Sequence, residues 1–273
     1  MGYSIFDETM VDMTWPEIEA AAGKGAIALL PIGIIEEHGP HMGLAVDTYA
    51  AYLVSVLAKH ELEACGVNTL IAPPQYWGVS PATWVFPGTF SVRPETMKAV
   101  IYDILASLKR WKLNKVFIIN WHADIKHCQA ILEAVKEARR DMAIDAFYLV
   151  SEFDVRRLRL TGKEEYILKQ QSPPMTGISE KYVDIHAGSM ETAVMMKYFP
   201  KHVKTALAKK LPPTEITLED LKSLGKSDEA TRKLIPQGYF GNPAGYDTGA
   251  AEEYIEAHAK ATADCIESYL KSK

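Results

Sequence analysis

Short apolar runs alternate with longer amphipathic stretches along the chain. The run 26–32 (AIALLPI) lies between Gly25 and Gly33 and has the length and bounds of a buried strand. Residues 68–72 (NTLIA), 115–120 (KVFIIN) and 146–151 (AFYLVS) read the same way, with Pro73 and Pro74 stopping the second. Between them the apolar spacing turns helical. One helix opens near Asp47 and ends at Gly66, a suitable C-cap. Others span about 94–111, 124–140, 191–199 and 250–270. Residues 76–90 are aromatic and rich in Gly and Pro, so they are expected to be loop. Residues 159–183 are polar and irregular, an excursion or lid, and 210–237 read as a surface segment with a short helix near 218–224. Strands alternating with helices predict parallel β-α-β units in a layered α/β fold. No internal repeat or linker divides the 273 residues, so a single domain over 1–273 is expected.

Net charge of −5 and the absence of a basic stripe argue against nucleic acid as a partner. The apolar runs are too short for a membrane span, and the first residues lack a signal-peptide pattern. A cytoplasmic protein is the expectation. Cys65, Cys128 and Cys265 are far apart and odd in number, which points to neither a disulfide framework nor a thiolate zinc site. Cys128 is read as a buried structural thiol.

Ligand sites of parallel sheets lie beyond the carboxyl ends of the strands. Two loops there carry chemistry. The first contains Glu36, Glu37, His38 and His41, followed by Asp47; the second contains His122 and Asp124. Each presents a pair spaced by two, Glu36-x-His38 and His122-x-Asp124, and extended residues i and i+2 point to one side. Carboxylates and imidazoles together suit Zn, Mn or Fe, and a shared carboxylate can join two ions. A competing role exists for Asp47 and Asp124, since both precede helices and Asp is a favoured N-cap. Glu37 is read as exposed. A third element, Asp184-x-His186-Ala-Gly-x-x-Glu191-Thr192, aims an imidazole from a tight turn. Its bland reading is a structural histidine with Glu191 at a helix N-terminus.

These motifs resemble the creatininase (creatinine amidohydrolase) family. The run Pro31-Ile-Gly33-Ile-Ile-Glu36-Glu-His38-Gly39-Pro40-His41, with Asp47 at its spacing, matches that family's opening signature. Phe86-Pro87-Gly88-Thr89, Asn120-Trp121-His122 and the stretch from His186 to Thr192 match later ones. The matches run from about 15 to 200, with an echo at 238–243. The resemblance implies a three-layer α/β/α sandwich with a mostly parallel sheet, a homo-oligomer such as a hexamer, and two divalent metal ions. Glu36 and His122 would hold one ion and His38 with Asp124 the other, with Asp47 bridging. His186 would be the catalytic histidine and Glu191 would stand close behind the metals. Ser80, Trp121 and Tyr182 would contact a small-molecule substrate.

The chain also departs from that family's pattern. Trp121 replaces a glycine, Ala123 stands in place of a substrate-side tyrosine, and Asp124 is shorter than the usual glutamate. Ala82 and Thr83 replace a Glu-His pair. Creatinine is therefore not the expected substrate. Hydrolysis of a carbonyl in a small, cyclic amide by a metal-activated water is the leading expectation. Ring-opening C–C hydrolysis of a diketo-inositol is an alternative, and Trp77, Trp84 and Trp121 could wall a cyclic substrate. A non-catalytic binding protein on the same fold is a further reading, since fold does not fix function. Nucleotide binding is disfavoured, because the first loop lacks G-x-G-x-x-G and carries two carboxylates.

Overall fold

The computed structural model describes residues 4–171, 173, 183–217 and 219–273. Five strands form one parallel sheet: β1 (Ile27–Ile32), β2 (Thr69–Ile71), β3 (Lys115–Asn120), β4 (Asp145–Val150) and β5 (Ile167–Lys169). Their spatial order is β2-β1-β3-β4-β5. All six residues of β1 are buried, because helices cover both faces of the sheet. Side chains alternate between those faces. Ala28, Leu30, Ile32, Val116 and Ile118 pack on α3 (Pro94–Arg110) and α4 (Ile125–Met142). Ile27, Leu29, Phe117 and Ile119 pack on α2 (Val46–Ala64), α6 (Ser189–Tyr198) and α9 (Thr248–Lys271). The result is the layered α/β fold the alternating pattern predicted, in the three-layer form the family resemblance implied. Among the described residues, no helix is long and apolar enough to cross a membrane.

The chain leaves β1 toward β2 on one side and returns to place β3 on the other side of β1. At such a reversal the loops beyond the strand ends diverge and leave a crevice. Register makes the two loops neighbours: Ile32 pairs with Asn120, and the Trp121 N–H donates to the Ile32 carbonyl at 3.2 Å. Beyond the sheet, Met42, Val46, Ala187, Met195 and Tyr239 share a small core, which locks the first loop against the turn carrying His186.

Several elements differ from the sequence reading. Helix α1 (Trp15–Gly23) precedes the first strand. The irregular stretch 159–183 contains β5, whose Ile167 pairs with Tyr148; residues 172 and 174–182, Tyr182 among them, lie outside the described residues. The short helix expected near 218–224 is a 3-10 turn at Asp220–Ser223, followed by α8 (Asp228–Leu234); the short α5 (Glu152–Arg157) and α7 (Thr205–Ala208) come earlier in the chain. That segment is not mere surface. Ile216, Leu221, Leu224, Leu234 and Ile235 pack with Val85 and Phe86, so it roofs the loop before Phe-Pro-Gly-Thr.

Candidate metal centre

Glu36 and His38 sit in the loop after β1, and both are buried. Asp47 lies in the first turn of α2, one residue inside the helix, and is also buried. It is not the cap; Ala45 holds that position. His122 follows β3, and His186 and Glu191 come from the turn into α6. Three overlapping ligand groups result: Glu36, Asp47 and His122; His38, Asp47 and Glu191; Glu36, His38 and His186. Asp47 belongs to the first two.

The backbone fixes which nitrogen of each imidazole faces inward. His38 Nδ1 lies 3.1 Å from the Glu36 carbonyl, and a carbonyl only accepts, so Nδ1 carries the proton. Its Nε2 lone pair then faces Asp47 Oδ1 at 3.8 Å and Glu191 Oε2 at 3.7 Å. His122 repeats the device with the nitrogens exchanged. Its Nε2 donates to the Val79 carbonyl at 3.2 Å, and Nδ1 faces Glu36 Oε1 at 3.1 Å and Asp47 Oδ2 at 3.2 Å. Metal-binding histidines are held this way, with the outer N–H on a carbonyl. His38 Nε2 and Asp47 Oδ2 are buried with no hydrogen-bond partner. Asp47 Oδ2 has the His122 ring as an ion-pair partner at 3.2 Å. Buried polar atoms left this way are costly, and a divalent cation would satisfy both.

His186 is oriented by Glu37, the neighbour of two ligands. The His186 Nε2 donates to the Glu37 carbonyl at 2.9 Å, and the Glu37 carboxylate stands 3.3 Å from the same nitrogen. The His186 Nδ1 points inward, 3.7 Å from Glu36 Oε1. Glu37 is buried, not exposed as the sequence suggested. A side chain added at Gly238 would run into its carboxylate. That contact spans some two hundred residues and leaves no local trace in the sequence.

Without a cation the charges conflict. Burial raises the Asp47 carboxyl to about 6 and Glu191 to about 8. Burial and the nearby His186 push His38 down to about 3. Burial also opposes charge on His122, but the Glu36 and Asp47 carboxylates outweigh it and lift the ring well above its usual range. His186 is likewise lifted, to about 10, by Glu37 and the other carboxylates against the pull of burial.

Other expected residues fall elsewhere. Asp124 is not brought to the cluster: its carboxylate caps α4, accepting from the N–H groups of Lys126 and His127 at 2.8 and 3.1 Å. Glu191, rather than Asp124, lies with His38 and Asp47. Ser80 is buried behind Thr83. Trp121 packs on Tyr254 and His258 of α9. Trp77 and Trp84 are largely exposed, and Trp84 Nε1 donates to Asp228, so the three tryptophans do not form one wall. Cys128 is buried, as expected.

The family model for creatininase, described as creatinine amidohydrolase, matches residues 11–266. The chain belongs to the creatininase family. It is 27% identical over 260 residues to a mycofactocin precursor peptide peptidase of Mycobacterium ulcerans, covering 93% of this chain and 84% of that one. Identity is also 27% over 197 residues to a creatinine amidohydrolase of Pseudomonas putida, covering 69% and 71%. A solved creatininase variant of zinc–zinc type superposes with a TM-score of 0.72 at 21% identity, covering 98% of this chain and 99% of that chain. Membership makes the chain a hydrolase of the metal-dependent kind.

Proposed function

We propose that this creatininase-family protein hydrolyses an amide C–N bond in a small molecule or short peptide, using two divalent cations held by its own side chains. The observation that carries the reading is the pair of inward ring nitrogens. His38 Nε2 and His122 Nδ1 are both fixed by backbone carbonyls to face carboxylate oxygens. Glu36, Asp47 and His122 would hold one ion, and His38, Asp47 and Glu191 the other. Glu191 would then take the ligand role that the family resemblance gave to Asp124. Ions such as zinc or manganese, when bound, supply an acidified water and polarise a carbonyl.

The remaining residues handle protons and position. His186 keeps its Nε2 proton on the Glu37 carbonyl and presents Nδ1 to the cluster, where it gives a proton to the departing nitrogen. The ring is held charged at neutral pH, with its pKa lifted to about 10, so a proton stands ready at Nδ1. The buried carboxylates of Glu36 and Glu37 favour its charged form. The nearby relatives whose names mention creatinine or a precursor peptide support an amide as the bond cut. Trp121 and Ala123 stand where the family has other residues, which supports a substrate other than creatinine. Assembly into a homo-oligomer belongs to the same reading, and light scattering on the purified chain tests it.

Elemental analysis of protein purified without chelator is the decisive experiment. About two equivalents of metal per chain are expected, falling below one in Asp47→Asn with amidase activity lost. A metal-free protein that takes up none on soaking would overturn the reading.

A further inference from the structure

Thr83 is buried, and its hydroxyl donates to Glu36 Oε2 at 2.6 Å. The Ser80 hydroxyl lies 2.7 Å behind it, also buried. An ionised carboxylate only accepts, so the Thr83 proton points to Glu36 and Ser80 donates to Thr83. The Ser80 N–H is itself tied to Ser91 Oγ at 2.9 Å. The row therefore runs from Ser91 through Ser80 and Thr83 to Glu36, each step holding the next. The other Glu36 oxygen, Oε1, faces His122 Nδ1 at 3.1 Å.

We propose that Thr83, backed by Ser80, is a positioning residue for the metal centre, holding one oxygen of Glu36 so that the carboxylate offers only the other to the cation. The inference rests on the metal-centre reading above. It gives Ser80 a role behind a ligand in place of contact with substrate. It also accounts for Thr83 standing in a loop where the sequence breaks from the family's Glu-His pair: a short hydroxyl reaches the carboxylate within a closed space. The roof from Ile216 to Ile235 keeps that loop in place. Arg232 stacks over Phe86 at 4.3 Å and donates to the Val85 carbonyl at 2.9 Å, and Gly225 lies against Pro81 and Ala82.

Partners of metal ligands typically contribute a factor of about 10–100 in metal affinity. The test compares full-length wild type, Thr83→Val, Thr83→Ser and Ser80→Ala, each stripped of metal. Zinc affinity is measured by competition with a chromophoric chelator, and the visible spectrum is recorded after cobalt(II) loading. Thr83→Val keeps the shape and loses the proton donor. Its zinc affinity at one of the two sites is expected to fall about 10–100-fold, and its cobalt spectrum to change as Glu36 gains freedom to offer both oxygens. Thr83→Ser should restore the wild-type spectrum, with affinity within about threefold. Ser80→Ala, which only weakens the donor through the chain, should lose a small factor of about two to three. If wild type binds zinc and Thr83→Val matches it in affinity and spectrum, the inference is overturned while the metal centre stands. Equal loss in Thr83→Val and Thr83→Ser would also overturn it, since packing would then be the cause. Wild type that binds no zinc overturns both.

Discussion

Asp124 accepts from the Lys126 and His127 N–H groups, and Asp124→Ala would forfeit both bonds. Loss of an N-cap costs about 1 kcal/mol. The variant should therefore unfold at lower denaturant while keeping the metal stoichiometry of wild type. Loss of one equivalent would mean that its carboxylate does reach an ion. His186 makes a contrasting case. Its Nε2 is held by Glu37, and it lies beside the ligands without sharing Asp47. His186→Gln should keep both metals and lose about 10²–10⁴ in kcat. Steady-state kinetics with elemental analysis checks this; a variant that also sheds a metal would make His186 a ligand. At this scale motif and spacing picked out residues that the fold brings together, Glu36, His38, Asp47 and His122. Asp124 stands apart as the cap of α4, and capping and ligation favour the same residue type before a helix. The sequence misread Glu37 as exposed and gave no role to Thr83, because the partners of both come from distant parts of the chain.

The junction of β1 with α2 shows how elements set the centre. A Cβ at Gly33 would lie 2.6 Å from the Thr48 backbone N and 2.7 Å from the Asp47 carbonyl carbon. Strand end and helix start touch through backbone, so neither can yield by a rotamer change. Gly33→Ala should push the first turn of α2 away and take Asp47 with it. The expected cost is about 1–3 kcal/mol, together with reduced occupancy of both ions, read by denaturant unfolding and metal analysis. Wild-type metal content in a destabilised variant would show that the turn shifts without moving Asp47. Long elements such as β1, β3, α2 and α4 were legible because burial on two faces or one stripe repeats over many residues. Strand β5 was not: it has three residues, and only Ile167 is buried. Helix α1 left a usable signal, the Thr14 and Glu17 capping box with Pro16 at its start. The six-residue α5 (Glu152–Arg157) left another, the Ser151 and Asp154 box.

Across the whole molecule, buried titratable groups make stability depend on pH in two opposite ways when metal is absent. His38 is depressed to about 3 and His41 and His258 to about 4, chiefly by burial, and His127 lies well below its usual 6.5. Their contribution is present above about 6.5 and is lost as pH falls toward 4 and 3, since the unfolded chain then binds more protons. Asp47, Glu191 and His186 are raised, to about 6, 8 and 10. What they contribute is present below their ordinary values and is lost as pH rises through those three figures. The two trends overlap and oppose each other, so the metal-free protein should be most stable where they balance and weaken on both sides. Cation binding requires the carboxylates ionised and the ligand imidazoles neutral, so zinc must displace protons from Glu191 and His122. Zinc affinity should climb from pH 6 to pH 8 as Glu191 ionises, and go on rising for as long as His122 keeps its proton. With zinc in excess, binding to the folded state adds stability, and that gain should grow over the same interval. The loss on the alkaline side should consequently be smaller for the loaded protein than for the stripped one. Thermal unfolding from pH 5 to 9, with zinc and with chelator, measures both curves. Parallel curves would mean that these ionisable groups do not serve a cation.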